Sequence, residues 1–280
     1  MSNLLTKPFI RPCEIMSMLK KKTCCVCNQE SSYAFTSYAL KKYTFDAYYC
    51  NNCGLLQIIG PHWLEEAYGE AISSADTGLV RRNISLADKL LPILFYLFSD
   101  KERFIDYAGG TGLFVRLMRD EGLDFFWTDL YCQNMFARGF EFVHGTKYKA
   151  VTAFEVFEHL IDPITFITEM FDKTQAKTFF FSTELFSGTP PDPIKWSYYN
   201  FHLGQHVTFY QAKTLYFIAR KFKLEYLSFD GIHCFCQPHI KIKLERYLSW
   251  RLTRISNKRI MKSLKSKTWD DYSSSLIITY

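Results

Sequence analysis

The residues that decide the fold run from Arg103 to Asp129 and read RFIDYAGGTGLFVRLMRDEGLDFFWTD. A short run of strand-forming residues ends at Asp106, and the glycine-rich turn AGGTG follows over residues 108–112. Apolar residues then recur at the spacing of an amphipathic helix, Gly122 ends that helix, and a second apolar run leads to Asp129. Strand, glycine turn, helix, strand and acid make up the first unit of a doubly wound nucleotide-binding sheet. The stretch therefore predicts an α/β fold built on a Rossmann-like sheet.

The glycine turn indicates a nucleotide ligand other than a dinucleotide. In the dinucleotide fingerprint Gly-x-Gly-x-x-Gly/Ala, the third position is small so that helix and strand pack closely. Counting from Gly110 and Gly112, that position holds Val115, which is too bulky. Asp129 ends the second strand about 20 residues after the turn, where a carboxylate can accept hydrogen bonds from both ribose hydroxyls.

Two segments carry a resemblance to a known family. Residues 106–112, DYAGGTG, resemble motif I of the class I S-adenosylmethionine (SAM) methyltransferases, usually Asp/Glu-x-Gly-x-Gly-x-Gly, with Ala108 in place of the first glycine. Residues 151–163, VTAFEVFEHLIDP, resemble the family's fourth strand and the segment after it. The likeness covers roughly residues 87–236. It implies a seven-stranded sheet whose last strand is antiparallel, and it implies SAM-dependent methyl transfer.

The same resemblance implies which residues contact SAM. The turn and the acids that end the first, second and fourth strands are expected to surround the cofactor: Asp106, Ala108, Gly109, Gly110, Gly112, Asp129, Leu130 and Glu155. In this family an acid after the third strand commonly faces the adenine amino group. That strand is poorly marked here, so the adenine-contacting acid stays unassigned.

A histidine-rich insertion, WSYYNFHLGQHVTF over residues 196–209, is expected to cross the carboxyl ends of the fourth and fifth strands, where the methyl acceptor should lie. Removing a proton from the acceptor suits an imidazole, whose pKa is near ~6.5. We expect His206 to be the base, with His202 second and Tyr199 as a further catalytic candidate. The alternative is that His206 only bonds backbone where the insertion ends. His159 is another possible base, or it only caps or packs a helix.

Helices are predicted over residues 61–100, and in the resembling family such helices often cover the cofactor. Tyr68, Arg81 and Arg82 lie there and are within possible reach of a carboxylate or phosphate of the substrate. An arginine pair in a loop is more often part of a solvated face.

Two Cys-x-x-Cys pairs near the N-terminus indicate a metal site. Cys24 and Cys27 form the first pair, Cys50 and Cys53 the second, and 22 residues separate Cys27 from Cys50. Four thiolates at this spacing are typical of a zinc ribbon with a closed, structural Zn²⁺ site. Free buried cysteines are the alternative.

Composition bounds the class of protein. The chain has 280 residues, 48% of them hydrophobic, which suits one large domain or a domain with a small appendage. We divide it into a zinc-ribbon module (1–60), a methyltransferase domain with a helical cover (61–240) and a basic helix or tail (241–280).

Residues 1–20 read as a loose leader without a secretory signal. The longest apolar run, residues 90–98, is half the ~20 needed to span a bilayer, so we expect a soluble, cytoplasmic protein.

Positive charge is concentrated near the C-terminus. Residues 241–267 carry ten lysines and arginines against Glu245 alone, so the net charge of +6 leaves −3 on the rest of the chain. Such a segment fits anionic lipid or nucleic acid, or a helix that packs on the body and turns a cationic face to water.

The zinc ribbon ahead of the methyltransferase motifs is similar to the bacterial sugar-nucleotide methyltransferases. These usually carry a further large C-terminal domain, for which we expect no counterpart here. The arrangement is also similar to ribosomal-RNA methyltransferases with a zinc module. Because the body is net acidic and lacks the Asn/Asp-Pro-Pro-Tyr/Phe signature, we expect a small, sugar-like acceptor rather than RNA. A protein that binds SAM without turnover is the alternative from another class.

Overall fold

The computed structural model describes residues 21–69, 76–253 and 264–278. The predicted leader (1–20) and the central part of the predicted basic tail (254–263) lie outside the described residues. Within them, no helix is long and apolar enough to cross a membrane.

The described residues form two sheets and seven α-helices. The strands in chain order are β1 (Lys21–Thr23), β2 (Glu30–Ala39), β3 (Tyr43–Tyr49), β4 (Leu56–Ile58), β5 (Arg103–Tyr107), β6 (Asp124–Thr128), β7 (Ala150–Ala153), β8 (Phe179–Phe181), β9 (Thr208–Phe209), β10 (Glu225–Phe229) and β11 (Ile232–Cys236). The helices are α1 (Leu64–Ala67), α2 (Leu79–Leu97), α3 (Leu113–Asp120), α4 (Pro163–Thr174), α5 (Ala212–Lys221), α6 (Pro238–Thr253) and α7 (Thr268–Ile278). Short 3₁₀ turns cover Phe157–His159 and Ser197–Tyr199.

The larger sheet has the order β10-β11-β8-β7-β5-β6. β6, β5, β7 and β8 are parallel, and β11 is antiparallel to both of its neighbours. The expected α/β sheet with an antiparallel last strand is therefore confirmed. The expected number of seven strands is wrong for the described residues, where this sheet has six.

The missing strand is the third one. On the edge of β6 away from β5, the described residues form only an isolated bridge between Trp127 and Glu141. Trp127 N donates to the Phe140 carbonyl (2.7 Å), and Phe142 N donates to the Trp127 carbonyl (2.8 Å). The neighbouring backbone turns, and Gly139 and nearby Gly145 adopt positive φ angles of 87° and 78°. Extended pairing therefore does not continue on either side of the bridge.

The sheet is buried on both faces, and alternation along its strands decides which layer each side chain joins. Phe104 packs with α2, α3 and α6, whereas Ile105 packs with α4 and α5. Likewise Phe180 faces the first layer, and Phe179 and Phe181 face the second. This two-sided burial explains why the central strands read as nearly continuous apolar runs.

The smaller, antiparallel sheet has the order β1-β2-β3-β4-β9. Its first four strands come from residues 21–58, but its edge strand β9 comes from the histidine-rich insertion and pairs Leu56 with Phe209. An aromatic cluster that includes Phe45, Trp63 and Phe209 packs on this sheet. Strand β9 of the insertion therefore pairs with a strand on the other side of the predicted domain boundary at residue 60.

The C-terminal part folds back onto the body. Ile240, Leu244 and Tyr247 of α6 are buried in the layer with α2, which agrees with the packed-helix alternative for this part of the basic segment. Asp271 of α7 accepts two hydrogen bonds from the buried Arg119 guanidinium (2.8 and 2.7 Å), which also donates to Asp124 (2.7 Å). This ion cluster joins α7 to α3.

Candidate active site

One large cleft opens at the carboxyl ends of β5, β6 and β7, where ligands bind in open α/β sheets. Its volume is about 1500 Å³, and it is lined both by the glycine turn after β5 and by the histidine-rich insertion. Seven of the eight predicted cofactor residues line it: Asp106, Ala108, Gly109, Gly110, Asp129, Leu130 and Glu155. Of the predicted catalytic residues, His202 and His206 line it.

The turn after β5 is built to present backbone to the cleft. Ala108 and Gly109 donate their N–H groups to the Thr128 carbonyl (2.8 and 3.0 Å), which closes the turn against β6. Ala108 has φ +67°, a left-handed conformation that costs a residue with a Cβ roughly 1–2 kcal/mol. A Cβ on Gly110 would meet nothing within 4 Å, so this part of the backbone is open to a ligand.

Asp129 is held at the end of β6 by three backbone donors. Its Oδ2 accepts from Gly110 N (2.9 Å), and its Oδ1 accepts from Tyr131 N (2.7 Å) and Cys132 N (2.8 Å). These bonds tie the acid to the glycine turn and fix its orientation beside the cleft.

Asp106 sits beneath the turn and is 4% exposed. Burial raises the pKa of its carboxyl from 3.8 to about 7, although Thr152 Oγ1 donates a hydrogen bond to Oδ1 at 2.5 Å and favours the ionised form. A buried acid with such a pKa at the floor of a cleft is typical of a functional site.

Gly112 does not line the cleft, so the structure does not support its predicted contact with the cofactor. It precedes α3 with φ +84°, and a Cβ there would lie 2.7 Å from Asn134 Oδ1 and 3.1 Å from Ala137 Cβ. The glycine is needed because the segment after β6 packs directly against the start of α3.

Glu155 lies two residues after the end of β7 and lines the cleft next to Arg82. Ser182 Oγ donates to Glu155 Oε1 (2.6 Å), and Arg82 Nε is 3.7 Å from Oε2. Burial, and then the neighbouring Glu158, raise the pKa of Glu155. Arg82 also lines the cleft and pairs with Asp76 (2.7 Å), whereas Arg81 is exposed and does not line it.

Two histidines and a glutamate meet in the cleft near Glu155. Ligand atoms of Glu158, His159 and His206 all lie within 4.8 Å of one another, and the two imidazole rings are 5.0 Å apart and perpendicular. Burial, followed by His206, lowers the pKa of His159 to about 3. Glu158 is 1% exposed, and burial raises its pKa.

His206 Nδ1 lies 2.6 Å from the Tyr198 carbonyl oxygen. The backbone bond that we considered as an alternative role for His206 is therefore present, but it engages only one nitrogen of the ring. The same residue lines the cleft.

The structure does not bring Tyr199 to the cleft. Its side chain is 1% exposed, its ring stacks on Phe201 with centroids 4.6 Å apart, and its hydroxyl donates to the Pro191 carbonyl (3.0 Å). The prediction of a catalytic hydroxyl at Tyr199 is therefore not supported. The adjacent Tyr198 lines the cleft instead, with its hydroxyl 3.0 Å from Thr183 Oγ1.

A family model described as a methyltransferase domain matches residues 80–228, which is more than half of the chain. The chain belongs to this family. It is a SAM-dependent methyltransferase.

Solved structures of methyltransferases are similar to this one at low sequence identity. Magnesium protoporphyrin IX methyltransferase (ChlM) from Synechocystis PCC 6803, with bound S-adenosylhomocysteine (SAH), is 13% identical over 63% of this chain and 92% of its own, with a TM-score of 0.40. CalO1, a methyltransferase in calicheamicin biosynthesis, is 11% identical over 63% and 67% (TM-score 0.40). Mitomycin 7-O-methyltransferase MmcR is 10% identical over 62% and 59% (TM-score 0.39). At these TM-scores the likenesses carry no argument about the acceptor.

No curated protein sequence matches the chain.

The four predicted metal-binding cysteines of the methyltransferase come together. Cys24 Sγ is 3.5 Å from Cys53 Sγ, and Cys27 Sγ is 3.4 Å from Cys50 Sγ, while all four sulfurs lie within 4.8 Å of one another. A tetrahedral ZnS₄ site with ~2.3 Å bonds has sulfur–sulfur edges of about 3.8 Å, so the set fits Zn²⁺. The contact between Cys24 and Cys53 lowers the pKa of the Cys24 thiol to about 5 and raises the pKa of the Cys53 thiol, so one thiolate of this pair forms readily.

Sequence reasoning did not connect Glu158 with His206, because they are far apart in the chain. Their signals were local and separate: an acid–histidine pair after the fourth strand and a histidine before β9. Val207 N donates to the Glu158 carbonyl (2.8 Å), and this backbone bond brings the two segments together.

Proposed function

We propose that this methyltransferase acts on a small polar acceptor of the sugar or sugar-nucleotide type. The observation that carries the proposal is that the glycine turn and the histidine-rich insertion line one cleft. A cleft of about 1500 Å³ exceeds the ~300–1,000 Å³ of common small-molecule sites, which leaves space for a cofactor and an acceptor together.

We divide the cleft by the ligand that each part would hold. The cofactor half consists of residues 106–110, Asp129 and Glu155. The acceptor half consists of Glu158, His159, Tyr198, His202 and His206. Imidazole, carboxyl and phenol groups in the acceptor half suit an acceptor rich in hydroxyl groups.

In the cofactor half, Asp129 would accept hydrogen bonds from the ribose hydroxyls of SAM, and the open backbone at Gly110 would lie against the ligand. Bound SAM supplies an electrophilic methyl group on a sulfonium. The carboxylate of Glu155 would favour positive charge at the neighbouring end of the cofactor.

In the acceptor half, His206 is the base that we favour. If its Nδ1 donates to the Tyr198 carbonyl, its Nε2 has the lone pair that accepts a proton from the acceptor. Ionised Glu158 would stabilise the imidazolium so formed. His202 is exposed and stays the second candidate.

A methyl-transfer assay tests the proposal. Protein is incubated with methyl-labelled SAM and, in parallel, with a panel of nucleotide-linked sugars and with RNA. We expect label on a sugar nucleotide and none on RNA. Label on RNA alone would contradict a sugar-nucleotide acceptor and support an RNA methyltransferase. Calorimetric binding of SAH without label on either would leave a SAM-binding protein without turnover.

We also propose that Cys24, Cys27, Cys50 and Cys53 hold a structural Zn²⁺. The support is the tetrahedral fit of the four sulfurs described above. Elemental analysis should find zinc in the purified protein, and Cys50→Ser should lose it together with thermal stability. Zinc-free protein that melts at the same temperature would favour free buried cysteines.

A further inference from the structure

Glu158, His159 and His206 form a second group of side chains with the composition of a metal site. They come from two segments, the 3₁₀ turn Phe157–His159 and the end of the insertion, which the bond from Val207 N to the Glu158 carbonyl holds together. Their ligand atoms lie within 4.8 Å of one another, and all three residues line the cleft. Two imidazoles and one carboxylate are a common ligand set for divalent transition metals.

Both imidazoles are held by their Nδ1 atoms. His206 Nδ1 is 2.6 Å from the Tyr198 carbonyl oxygen. His159 Nδ1 is 3.2 Å from the Gln205 carbonyl oxygen and 3.0 Å from the Tyr68 hydroxyl, whose oxygen can accept from the same N–H. When Nδ1–H donates to a carbonyl, the lone pair is on Nε2. Metal-binding histidines almost always have such a second partner, which fixes their tautomer and ring orientation.

Glu158 supplies the independent observation. Its Oε2 atom is buried and has no hydrogen-bond partner among the described residues, while the side chains of Tyr198 and Thr183 lie beside the carboxyl group and favour its ionised form. No lysine or arginine among the described residues forms an ion pair with this carboxyl. A buried carboxylate oxygen without a partner is costly, and a cation beside it would remove that cost.

We propose that Glu158, His159 and His206 bind a divalent transition metal ion, most favourably Zn²⁺ or Co²⁺, distinct from the ion at the four cysteines. Three protein ligands leave at least one coordination position open, as in catalytic rather than structural sites. Since the ligands line the cleft, the open position faces the acceptor half.

The role of this ion rests on the proposed function, because it uses the same acceptor subsite. An acceptor hydroxyl bound to the ion ionises more readily, and its proton passes to water in the open cleft. In the metal-bound enzyme His206 is therefore a ligand through Nε2, and the ion replaces its function as a base. No electron transfer is involved.

Metal stoichiometry tests the site. Metal-free protein is titrated with Co²⁺ and monitored by calorimetry and visible absorption, and bound metal is then counted by elemental mass spectrometry. We expect two ions per chain: one with sulfur-to-cobalt charge-transfer bands, and one with ligand-field bands alone. His159→Ala, His206→Ala and Glu158→Gln should each lose the second ion and keep the first. Cys50→Ser should lose the first.

His144→Ala is the matched control, because His144 also lines the cleft but lies outside the group of three. It should bind two ions. One ion per chain in the wild type, or a second ion that persists in the His159→Ala/His206→Ala double variant, would overturn the proposal.

The same samples keep this proposal separate from the proposed function. Methyl transfer to a sugar nucleotide by protein with a single ion, unchanged when Co²⁺ is added, would support the proposed function and refute the metal site. A second ion that depends on His159 and His206, in protein that methylates no sugar nucleotide, would support the metal site and refute the proposed function. Calorimetric affinity for SAH shows in either case whether a variant is folded.

Discussion

The cofactor half and the acceptor half of the cleft are built in different ways. In the cofactor half, most of the residues fall within one continuous stretch, and backbone groups hold them: Asp129 accepts from three backbone N–H groups. In the acceptor half, side chains from two distant segments meet, and carbonyls of the insertion orient His159 and His206. A half made from local backbone should tolerate side-chain changes nearby, whereas a half made from convergent side chains should not.

The largest effect is expected in the acceptor half. His206→Ala should lower kcat by roughly 10²- to 10⁴-fold, the usual contribution of general acid–base catalysis, whether His206 acts as base or as ligand. Because His206 contributes nothing to the glycine turn, the affinity for SAH measured by calorimetry should not change. A parallel loss of SAH affinity would show that the two halves are not independent.

Asp129→Ala is expected to have the next largest effect, confined to the cofactor half. Loss of the carboxylate leaves the Gly110 amide without its acceptor and would remove the proposed partner of the ribose hydroxyls. It should weaken SAM and SAH binding by about 2 kcal/mol, roughly 30-fold, in a calorimetric titration.

Asp172→Ala is the control for this titration, because Asp172 is exposed on α4. It should bind SAH as the wild type does. Equal affinities for all three proteins would remove Asp129 from the site.

The pH dependence of stability should report on Asp106, the buried acid of the cofactor half. Burial raises the pKa of Asp106 to about 7 in the folded protein, whereas an unburied aspartate in the unfolded chain has a pKa of 3.8. Between about pH 4 and 7 the folded state therefore binds more protons than the unfolded state. The free energy of unfolding therefore falls as pH rises through this window, by on the order of 1–3 kcal/mol. Asp106→Asn should flatten this part of the profile of Tm against pH.

The raised pKa values of Glu155 and Glu158 act in the same direction, so some slope should persist in Asp106→Asn. Asp172→Asn should retain the full slope. An unchanged slope in Asp106→Asn would contradict the raised pKa.

The smallest effect is expected at Ala108, whose φ of +67° suits glycine better. Ala108→Gly should raise the free energy of unfolding by about 0.5–1 kcal/mol, since the relief of left-handed strain is partly offset by the greater freedom of glycine in the unfolded chain. Denaturant titration measures this, and SAH affinity should stay the same. Destabilisation would mean that the Cβ of Ala108 makes contacts worth more than the strain.

The cofactor half could be predicted from the sequence because it is local. The run from Arg103 to Asp129 forms β5, the turn, α3 and β6 in the expected order. Gly112 was assigned to the cofactor only because the motif contains a glycine there. Its actual partners, Asn134 and Ala137, belong to a loop with no periodic pattern.

The acceptor half resisted prediction because long-range packing decides it. Of two adjacent tyrosines, Tyr198 lines the cleft and Tyr199 is buried, and a single 3₁₀ turn determines which is which. The third strand could not be placed because pairing beside β6 reduces to one bridge at Glu141.

The pairing of β9 with β4 has a consequence for how the protein is made. Leu56 leaves the ribosome long before its partner Phe209, so the smaller sheet gains its edge strand only after most of the chain has been synthesised. Contacts so far apart in sequence form slowly. Since β9 follows His206 directly, the wall that carries the histidines settles late in folding, after the cysteine pairs and the glycine turn have emerged. The larger sheet also takes β10 and β11 from residues that follow β9, so both halves of the cleft reach their final form only after most of the chain has emerged.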